Sequence, residues 1–332
     1  MRNMIVAPQP AAVEEGAKVL MQGGNAIDAA VTCAFVQFLR SPHSCGVGGY
    51  VILTMHRAGS PDGEEPKTVG LDAPALAGSK VTPDMWRDLF IRPNPRGWGY
   101  FLKGKVNDLG YKSICVPGTV MALSTMLERW GTISWARAIE PAAKIAEGGF
   151  VVDSNLAMAW KGKASHPEAS SMLDYIQGNA AASRIYLKKD GTPYDAGDLL
   201  RNPDYAATLR HLAEHGPQDF YQGELARRIT DDLAANGSFV TAEDLSGYQL
   251  RDVAPVTGTY RGYRIATSPP PHGGPTLVAI LNILEAYDLA AMEHNSPEYI
   301  YLVSLVVCEV YGDLSRYLAD PEFVDVPLDW MT

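Results

Sequence analysis

The stretch Gly23-Gly24-Asn25-Ala26-Ile27-Asp28-Ala29-Ala30-Val31-Thr32-Cys33-Ala34-Phe35 carries the clearest structural signal in the chain. Asn25 is a good helix N-cap, and Asp28 follows at the third helical position, near the positive end of the helix dipole. The predicted helix, Ala26 to about Leu39, is apolar on nearly every side. A helix with so little polar surface has to be buried between layers of structure.

The segments on either side of this helix extend the prediction. Apolar residues between Pro10 and Gln22 recur at helical spacing, and Gly23-Gly24 would end that first helix. Downstream, Tyr50–His56 is a good strand, and Lys67–Leu71 is a plausible partner beyond a polar turn. Two helices followed by a hairpin predict an α+β fold in which helices are layered outside sheets.

The rest of the chain is mostly helical, with a second group of strands. The predicted helices are Pro117–Arg129, Ser134–Glu147, Ser154–Lys161, Ala206–His215, Gly223–Ala235, Pro275–Tyr287 and Pro297–Leu318. The predicted strands are Gly247–Val253, Val256–Tyr260 and Tyr263–Thr267. Because no low-complexity linker interrupts residues 1–332, the chain is predicted to be a single compact unit.

Charge and hydropathy exclude several classes of partner. With 28 basic and 38 acidic side chains, the net charge is −10. Binding to a nucleic-acid backbone depends on a basic surface, so no nucleic-acid partner is expected. No window approaches the roughly 18 uninterrupted apolar residues of a membrane helix, and the N-terminus shows no secretion signal. The expected location is cytoplasmic, although a chain trimmed of its leader could be periplasmic.

Metal and disulfide sites are poorly supported. The four cysteines form no C-x-x-C pair; they are Cys33, Cys45, Cys115 and Cys308. The acidic residues near the C-terminus match no EF-hand spacing and are expected to be solvated; they are Asp313, Asp320, Glu322 and Asp325. Neither a metal nor a cofactor is therefore expected.

A glycine-rich segment, Ser44–Gly49, links the second helix to the first strand. It runs from helix to strand, the reverse of a dinucleotide-binding turn, and it lacks the pattern of a phosphate loop. Its glycines allow either a tight structural turn or a close approach to a ligand. Cys45 follows His43 by two residues, and in an extended segment such side chains point to opposite sides, which argues against a cysteine nucleophile with His43 as its base.

A second turn, Ser268-Pro269-Pro270-Pro271-His272-Gly273-Gly274, ends a strand and opens a helix. Its prolines stiffen the approach, and its glycines leave backbone N–H groups free near a helix N-terminus. That geometry suits an oxyanion or a carboxylate, but it is also a good helix start, and His272 is equally ambiguous. No serine lies in a G-x-S-x-G elbow, so these residues alone predict no reaction.

Six collinear segments resemble the γ-glutamyltransferase family. They are Gly23–Ala30, Ser41–Gly49, Val116–Thr119, Pro141–Ala146 with Gly149-Phe150, Pro269–Gly274 leading to Leu281–Glu285, and Tyr317–Val324. They follow the order of the family and cover nearly the whole chain, so the resemblance is specific.

The resemblance implies a four-layer αββα sandwich of the N-terminal-nucleophile hydrolase type, with an extensive helical region in the large subunit. Such proteins are made as precursors that cut themselves before a threonine. The new N-terminal Thr would attack an amide carbonyl with its own α-amino group as base, and an oxyanion hole in the small subunit would stabilise the intermediate. This chain would be the large (α) subunit, partnered by the small (β) subunit and a small-molecule amide, in an αβ or (αβ)2 assembly.

Two features depart from the family pattern. The chain ends at Thr332, a few residues beyond Val324, so no catalytic residue is expected in it and the nucleophile is expected on the small subunit. The resemblance also implies an Arg after the first hairpin that grips the α-carboxylate of a γ-glutamyl substrate. The corresponding stretch, Val69–Ala77, contains no Arg and includes Asp72.

The resulting hypothesis is an amidohydrolase or acylase whose substrate has an acyl part other than free γ-glutamyl. The expected pocket-lining residues, by position in the family pattern, are Leu71, Asp72, Ser44 and Cys45. Two alternatives stay open. One is a true γ-glutamyltransferase or glutathione hydrolase with its carboxylate clamp at Arg40 or Arg57, and the other is a non-catalytic scaffold subunit.

Overall fold

The computed structural model describes residues 3–59, 65–95 and 99–332. By their internal contacts these residues fall into two compact units, Met1–Tyr50 with Ala73–Gln249 and Val51–Asp72 with Leu250–Thr332. No linker-like stretch in the sequence marks this division, and the single large subunit stays a prediction.

Helices account for most of the regular structure. They are α1 (Pro10–Met21), α2 (Ala26–Arg40), α3 (Thr119–Trp130), α4 (Trp135–Gly148), α5 (Ser154–Lys161), α6 (Met172–Gln177), α7 (Ala180–Tyr186), α8 (Pro203–His215), α9 (Asp219–Gln222), α10 (Glu224–Ala235), α11 (Ala242–Ser246), α12 (Gly274–Glu285), α13 (Pro297–Tyr317) and α14 (Leu328–Met331). The strands are β1 (Val51–Arg57), β2 (Lys67–Ala73), β3 (Phe90–Pro93), β4 (Tyr100–Leu102), β5 (Phe150–Val151), β6 (Leu199–Leu200), β7 (Arg251–Val253), β8 (Val256–Tyr260) and β9 (Tyr263–Thr267).

The first unit is organised around the buried helix α2. Its N-terminus carries the predicted N-cap, and the structure adds a capping box: the Asn25 side chain accepts from the backbone N–H of Ile27 and Asp28, and Asp28 accepts from the Asn25 N–H at 2.8 Å. Helix α1 packs closely on it, because a Cβ on Gly16 would lie 3.0 Å from the carbonyl oxygen of Ala29. The predicted stop of α1 at Gly23 is also present, with φ at +90°.

Asp28 does more than cap its own helix. It is fully buried, and its carboxylate accepts from the Thr132 N–H at 2.7 Å, the Thr132 hydroxyl at 2.6 Å and the Ile133 N–H at 3.2 Å. Burial raises the pKa of Asp28, but the hydrogen bonds from Thr132, Asn25 and Ile133 outweigh it and hold the pKa below its ordinary value. One carboxylate thus ties the start of α2 to the loop between α3 and α4.

A separate hydrophobic cluster in the first unit gathers residues from α2, α4, α5, α6, α8 and the β5–β6 pair. Its buried members are Leu39, Ala146, Phe150, Val152, Leu156, Ala157, Trp160, Ile176, Leu200 and Ala206. The large ring of Trp160 is 1% exposed, so this cluster is a closed core rather than a surface patch.

The second unit contains the main sheet, with strand order β1-β2-β7. Strands β2 and β7 are antiparallel, with Leu71 opposite Asp252 and Asp72 opposite Arg251. The β8–β9 hairpin forms a separate pair. Helices α12, α13 and α14 share a hydrophobic cluster whose buried members are Leu284, Val306, Val310, Leu314 and Met331.

The observed elements confirm the predicted α+β class and most of the predicted helices and strands. The strand predicted at Gly247–Val253 is wrong over its first half, because β7 begins only at Arg251. Tyr248 is instead buried, with its ring stacked on Tyr221 and its hydroxyl donating to the Pro74 carbonyl at 2.8 Å. The pairs β3–β4 and β5–β6 and helices α6, α7, α9, α11 and α14 were not predicted, because they are too short for a periodic signal. The four-layer arrangement stays a prediction.

Helix α13 is 21 residues long and contains Glu309 and Asp313. In the described ranges no helix combines the length and the apolar character needed to cross a bilayer. Within the same ranges, no group of three or more His, Cys, Asp or Glu side chains could hold a metal ion.

The buried Asp28 network predicts a large stability effect. Asp28→Asn should lower the free energy of unfolding by about 2–3 kcal/mol at pH 7. The amide nitrogen of Asn cannot accept the hydrogen bonds that the second carboxylate oxygen of Asp28 accepts. The measurement is urea unfolding followed by circular dichroism. The matched control is Asp231→Asn. The Asp231 carboxylate forms an exposed ion pair with Arg227 at 2.9 Å, so this substitution should lower the free energy of unfolding by less than about 0.5 kcal/mol.

The effect should also depend on pH. The pKa of Asp28 is lowered on folding, so its contribution is complete well above the ordinary pKa of 3.8 and is lost as the pH falls through the folded pKa. The stability gap between wild type and Asp28→Asn should therefore narrow below that range. A gap that is absent at pH 7, or that widens in acid, would contradict the network.

Candidate functional site

A buried carboxylate–imidazole pair lies in the second unit. Asp72, near the end of β2, is 1% exposed, and its Oδ1 accepts a hydrogen bond from Nε2 of His272 at 3.0 Å. His272 belongs to the turn before α12, and its side chain is 19% exposed. Two segments that the sequence analysis treated separately therefore form one site, with His272 as the partly exposed member.

The turn that carries His272 is built for close backbone contact. The peptide bond between Pro270 and Pro271 is cis, and the His272 N–H donates to the Pro269 carbonyl at 3.0 Å. A Cβ on Gly274 would lie 1.8 Å from the carbonyl oxygen of Ser268, so only glycine fits at the start of α12. This glycine therefore serves packing, and anion binding at the turn stays a prediction.

Arg251 on β7 adds a positive charge beside Asp72. The two residues are directly opposite in the antiparallel register, and such residues project from the same face of a sheet. The Arg251 guanidinium lies 3.4 Å from an Oδ2 of Asp320 and 2.5 Å from an Oε2 of Glu322. We call these five residues, Asp72, Arg251, His272, Asp320 and Glu322, the Asp72 cluster.

The composition of the Asp72 cluster sets its electrostatics. It holds three carboxylates against one guanidinium, and the guanidinium is already engaged by the carboxylates of Asp320 and Glu322. A further anion would therefore meet an excess of negative charge in a partly buried setting, where charges are weakly screened.

Leu71 and Asp72, predicted to line a pocket, are both 1% exposed. Leu71 is a core residue of β2 opposite Asp252. Within the Asp72–His272 pair, His272 is the member that reaches solvent. A direct contact of Leu71 or Asp72 with substrate stays a prediction, and an indirect role of Asp72 through His272 has a structural basis.

Ser44 and Cys45 lie in the first unit, in a turn directly after α2. Both N–H groups donate to the Ser41 carbonyl, at 2.9 and 3.2 Å. The segment is turned rather than extended, so strand alternation does not separate His43 from Cys45, contrary to the prediction. The Cys45 thiol lies 3.5 Å from the carbonyl oxygen of Ser41. Burial raises its pKa, which keeps the thiol protonated and makes it a poor nucleophile.

The glycine-rich segment makes a structural contact with a second family motif. The Gly49 carbonyl accepts from the N–H groups of Gly118 and Thr119, at 2.9 and 3.2 Å. A Cβ on Gly49 would lie 3.2 Å from the carbonyl oxygen of Gly46, and one on Gly118 would lie 2.2 Å from the Tyr248 hydroxyl. Of the two alternatives for this segment, tight packing is the one observed at Gly49.

The predicted site residues therefore lie in both units. Leu71 and Asp72 belong to the second, with His272, whereas Ser44 and Cys45 belong to the first. Arg251 was missed by the sequence analysis. Its only signal is a basic residue inside a strand pattern, and its significance depends on the register with β2.

The fold is that of the large-subunit portion of γ-glutamyltranspeptidases. It matches the crystal structure of the Helicobacter pylori γ-glutamyltranspeptidase with a TM-score of 0.86 and 32% sequence identity, over 100% of this chain and 89% of that chain. The chain belongs to the gamma-glutamyltranspeptidase family, whose sequence model matches residues 12–332.

Relatives of known activity fall into two groups. The glutathione hydrolase proenzyme of Escherichia coli is 31% identical over 334 residues, which cover 100% of this chain and 53% of that protein. The acylase ACY 1 proenzyme of Pseudomonas sp. strain V22 is 34% identical over 328 residues, which cover 98% of this chain and 55% of that protein. The chain thus spans about half the length of both relatives, and similarity alone does not separate a glutathione hydrolase from an acylase.

The Asp72–His272 pair should show strong energetic coupling. His272→Leu should destabilise the protein by about 2–4 kcal/mol, because it leaves a buried carboxylate without its donor. Adding Asp72→Leu should recover part of this loss, which gives a coupling energy of at least about 1.5 kcal/mol in a double-mutant cycle.

Urea unfolding of the four proteins measures this coupling. The matched control is the exposed hydrogen bond between His56 and Thr68, at 3.1 Å, tested with His56→Leu and Thr68→Val. That coupling should stay below about 0.5 kcal/mol. Equal coupling in the two cycles would show that the Asp72 pair is not a structural constraint.

Proposed function

We propose that this chain is the large subunit of a self-processed N-terminal-threonine amidohydrolase that hydrolyses an amide whose acyl part is not γ-glutamyl. The observation that carries the proposal is the Asp72 cluster. A free α-carboxylate is best received by an unoccupied guanidinium fork. Residues 69–77 contain no Arg, and the guanidinium opposite Asp72 is engaged by Asp320 and Glu322.

The family supports a second polypeptide as partner. The relatives are proenzymes, and the chain spans about half of their length. Helices α12 and α13 also expose many large apolar side chains: Leu277, Ile283, Ile300, Tyr301, Leu305 and Tyr311 are each at least 40% exposed. Apolar side chains at this density on two neighbouring helices favour a protein partner, which we propose is the small subunit.

Strand edges that have no partner among the described residues support the same partner. A groove of about 880 Å³ in the second unit is lined by Thr54 and His56 of β1, Thr68 of β2, and Thr257 and Arg264 of the β8–β9 hairpin. An edge strand presents unpaired N–H and C=O groups that accept an added strand. We propose that strands of the small subunit enter this groove and complete a four-layer αββα sandwich.

In the proposed reaction the threonine hydroxyl of the small subunit attacks the amide carbonyl. Its α-amino group takes the hydroxyl proton and returns it to the leaving amine, and water then hydrolyses the ester of the acyl-enzyme. This chain contributes binding surface and selectivity. The partly exposed His272, held by Asp72, would present its imidazole to the acyl part.

The main alternative is a true γ-glutamyl enzyme with its clamp at Arg40 or Arg57. The Arg40 side chain is 12% exposed and donates to the Val151 carbonyl at 2.9 Å and to Asp153 at 3.3 Å. Its guanidinium also lies 4.4 Å from the Phe150 ring centroid. Arg57 has an interaction partner of its own. The Arg40 guanidinium is therefore not an open carboxylate receptor.

Substrate selectivity tests the proposal directly. The assembled enzyme should hydrolyse an uncharged acyl-p-nitroanilide, such as the hexanoyl compound, with kcat/KM about 100-fold above that of γ-glutamyl-p-nitroanilide, equivalent to about 2.7 kcal/mol. The reason is repulsion of the free carboxylate by the Asp72 cluster. Raising the salt concentration should narrow the ratio, because screening weakens the repulsion. Fast, saturable turnover of the glutamyl substrate would overturn the proposal.

Mass spectrometry of the purified enzyme separates the proposal from a scaffold role. A second polypeptide that begins with Thr is expected in the preparation. If an intact preparation from the full gene contains no such polypeptide and cleaves no amide, the chain is a scaffold.

A further inference from the structure

We propose that Arg251 is a positioning residue that clamps the turn at Asp320–Glu322 to strand β7 and thereby sets the rate of self-cleavage of the precursor. The inference rests on the proposed function, because it assigns Arg251 a role in the self-cleavage that would release the nucleophile.

The clamp is a two-pronged ion pair. One terminal nitrogen of Arg251, Nη1, lies 3.5 and 3.4 Å from the two carboxylate oxygens of Asp320, and the other, Nη2, lies 2.5 Å from Oε2 of Glu322. The Arg251 and Asp320 side chains are only 23% and 28% exposed. Partial burial limits screening by solvent, so this pair is stronger than a fully exposed one.

The turn itself is already shaped to present both carboxylates. An Oδ1 of Asp320 accepts from the Glu322 N–H at 3.0 Å, and the Asp320 carbonyl accepts from the N–H groups of Phe323 and Val324 at 3.0 and 3.2 Å. These bonds hold two negative charges two residues apart on one small loop. Without the Arg251 guanidinium the charges would repel each other and favour opening of the turn.

The apolar residues at the end of the turn contribute little to holding it. Phe323 is 82% exposed, and Val324 is 47% exposed. Beyond the turn, the segment borders a cavity of about 570 Å³ that is also lined by Val253 and Ala254, which follow Arg251 in the chain. The ion pair is therefore the main polar anchor of the segment against β7.

A second anchor follows near the C-terminal end of the chain. Met331 is buried in the α12–α13 cluster, and the Asn282 side chain donates to the Thr332 carbonyl at 2.6 Å. The segment is held at the Asp320–Glu322 turn and again at Met331–Thr332. In the proposed precursor the chain runs on from these two anchors toward the scissile bond, so loosening either anchor widens the range of positions that the scissile bond samples.

The same geometry makes Arg251 a poor substrate clamp. Its donors are directed at two carboxylates of its own chain, and its neighbour across the sheet is Asp72. We therefore expect Arg251 to influence how fast the enzyme matures.

The test uses the full-length precursor, produced in a cell-free system and followed by gel electrophoresis and mass spectrometry. Arg251→Met keeps most of the aliphatic stem and removes the charge, and it should slow self-cleavage by about tenfold. The matched control is Arg228→Met, an exposed arginine of α10, which should cleave at the wild-type rate. The charge swap, Arg251→Glu with Glu322→Arg, should restore the rate to within about threefold of wild type.

The salt dependence separates the ion-pair clamp from a general effect on folding. Wild-type cleavage should slow as salt is raised to about 1 M, whereas cleavage of Arg251→Met should change little, because only the wild type has an ion pair to screen.

Different results overturn different claims. If Arg251→Met cleaves as fast as wild type, or if the charge swap restores nothing, the clamp is refuted. If the wild-type precursor releases no fragment that begins with Thr, the proposed function fails, whatever the variants do.

Discussion

The buried carboxylate of Asp72 is the constraint on which the arrangement of the second unit depends. A carboxylate removed from water has to be paired, because the cost of leaving it unpaired is comparable to the whole stability of a domain. Its donor, His272, comes from a turn 200 residues away in the sequence. The guanidinium of Arg251 projects from the neighbouring strand. Satisfying one charge therefore requires β2 and the turn before α12 to be placed together.

The features that the sequence predicts well are those whose signals are local. Helix α2 has its N-cap, its capping box and its apolar faces within one short stretch, and its observed C-terminal bound differs by one residue from the prediction. The β8 and β9 strands and the α5 helix were also predicted with their observed bounds, because turn residues flank each of them. The partner of Asp28, Thr132, has no such local signal and was not predicted.

The predictions that were wrong or missing concern residues whose conformation or role depends on contacts distant in the sequence. Tyr248 is in a sequence that suits a strand, yet its ring and hydroxyl find partners at Tyr221 and Pro74, and those contacts decide its conformation. At the candidate site, the sequence analysis singled out Asp72 and the proline-rich turn but not their contact. It missed Arg251 entirely, because cross-strand pairing depends on register, which a single sequence does not encode locally.

In the two proposals, substrate selectivity and self-cleavage of the precursor both depend on the Arg251 side chain. A guanidinium that holds Asp320 and Glu322 cannot also receive a substrate carboxylate without giving up those partners. If it turned toward a substrate, it would leave two like charges opposed on a short turn with few apolar contacts. If the proposed function holds, a change toward γ-glutamyl substrates would require a new cation near His272, because reuse of Arg251 would release the Asp320–Glu322 turn.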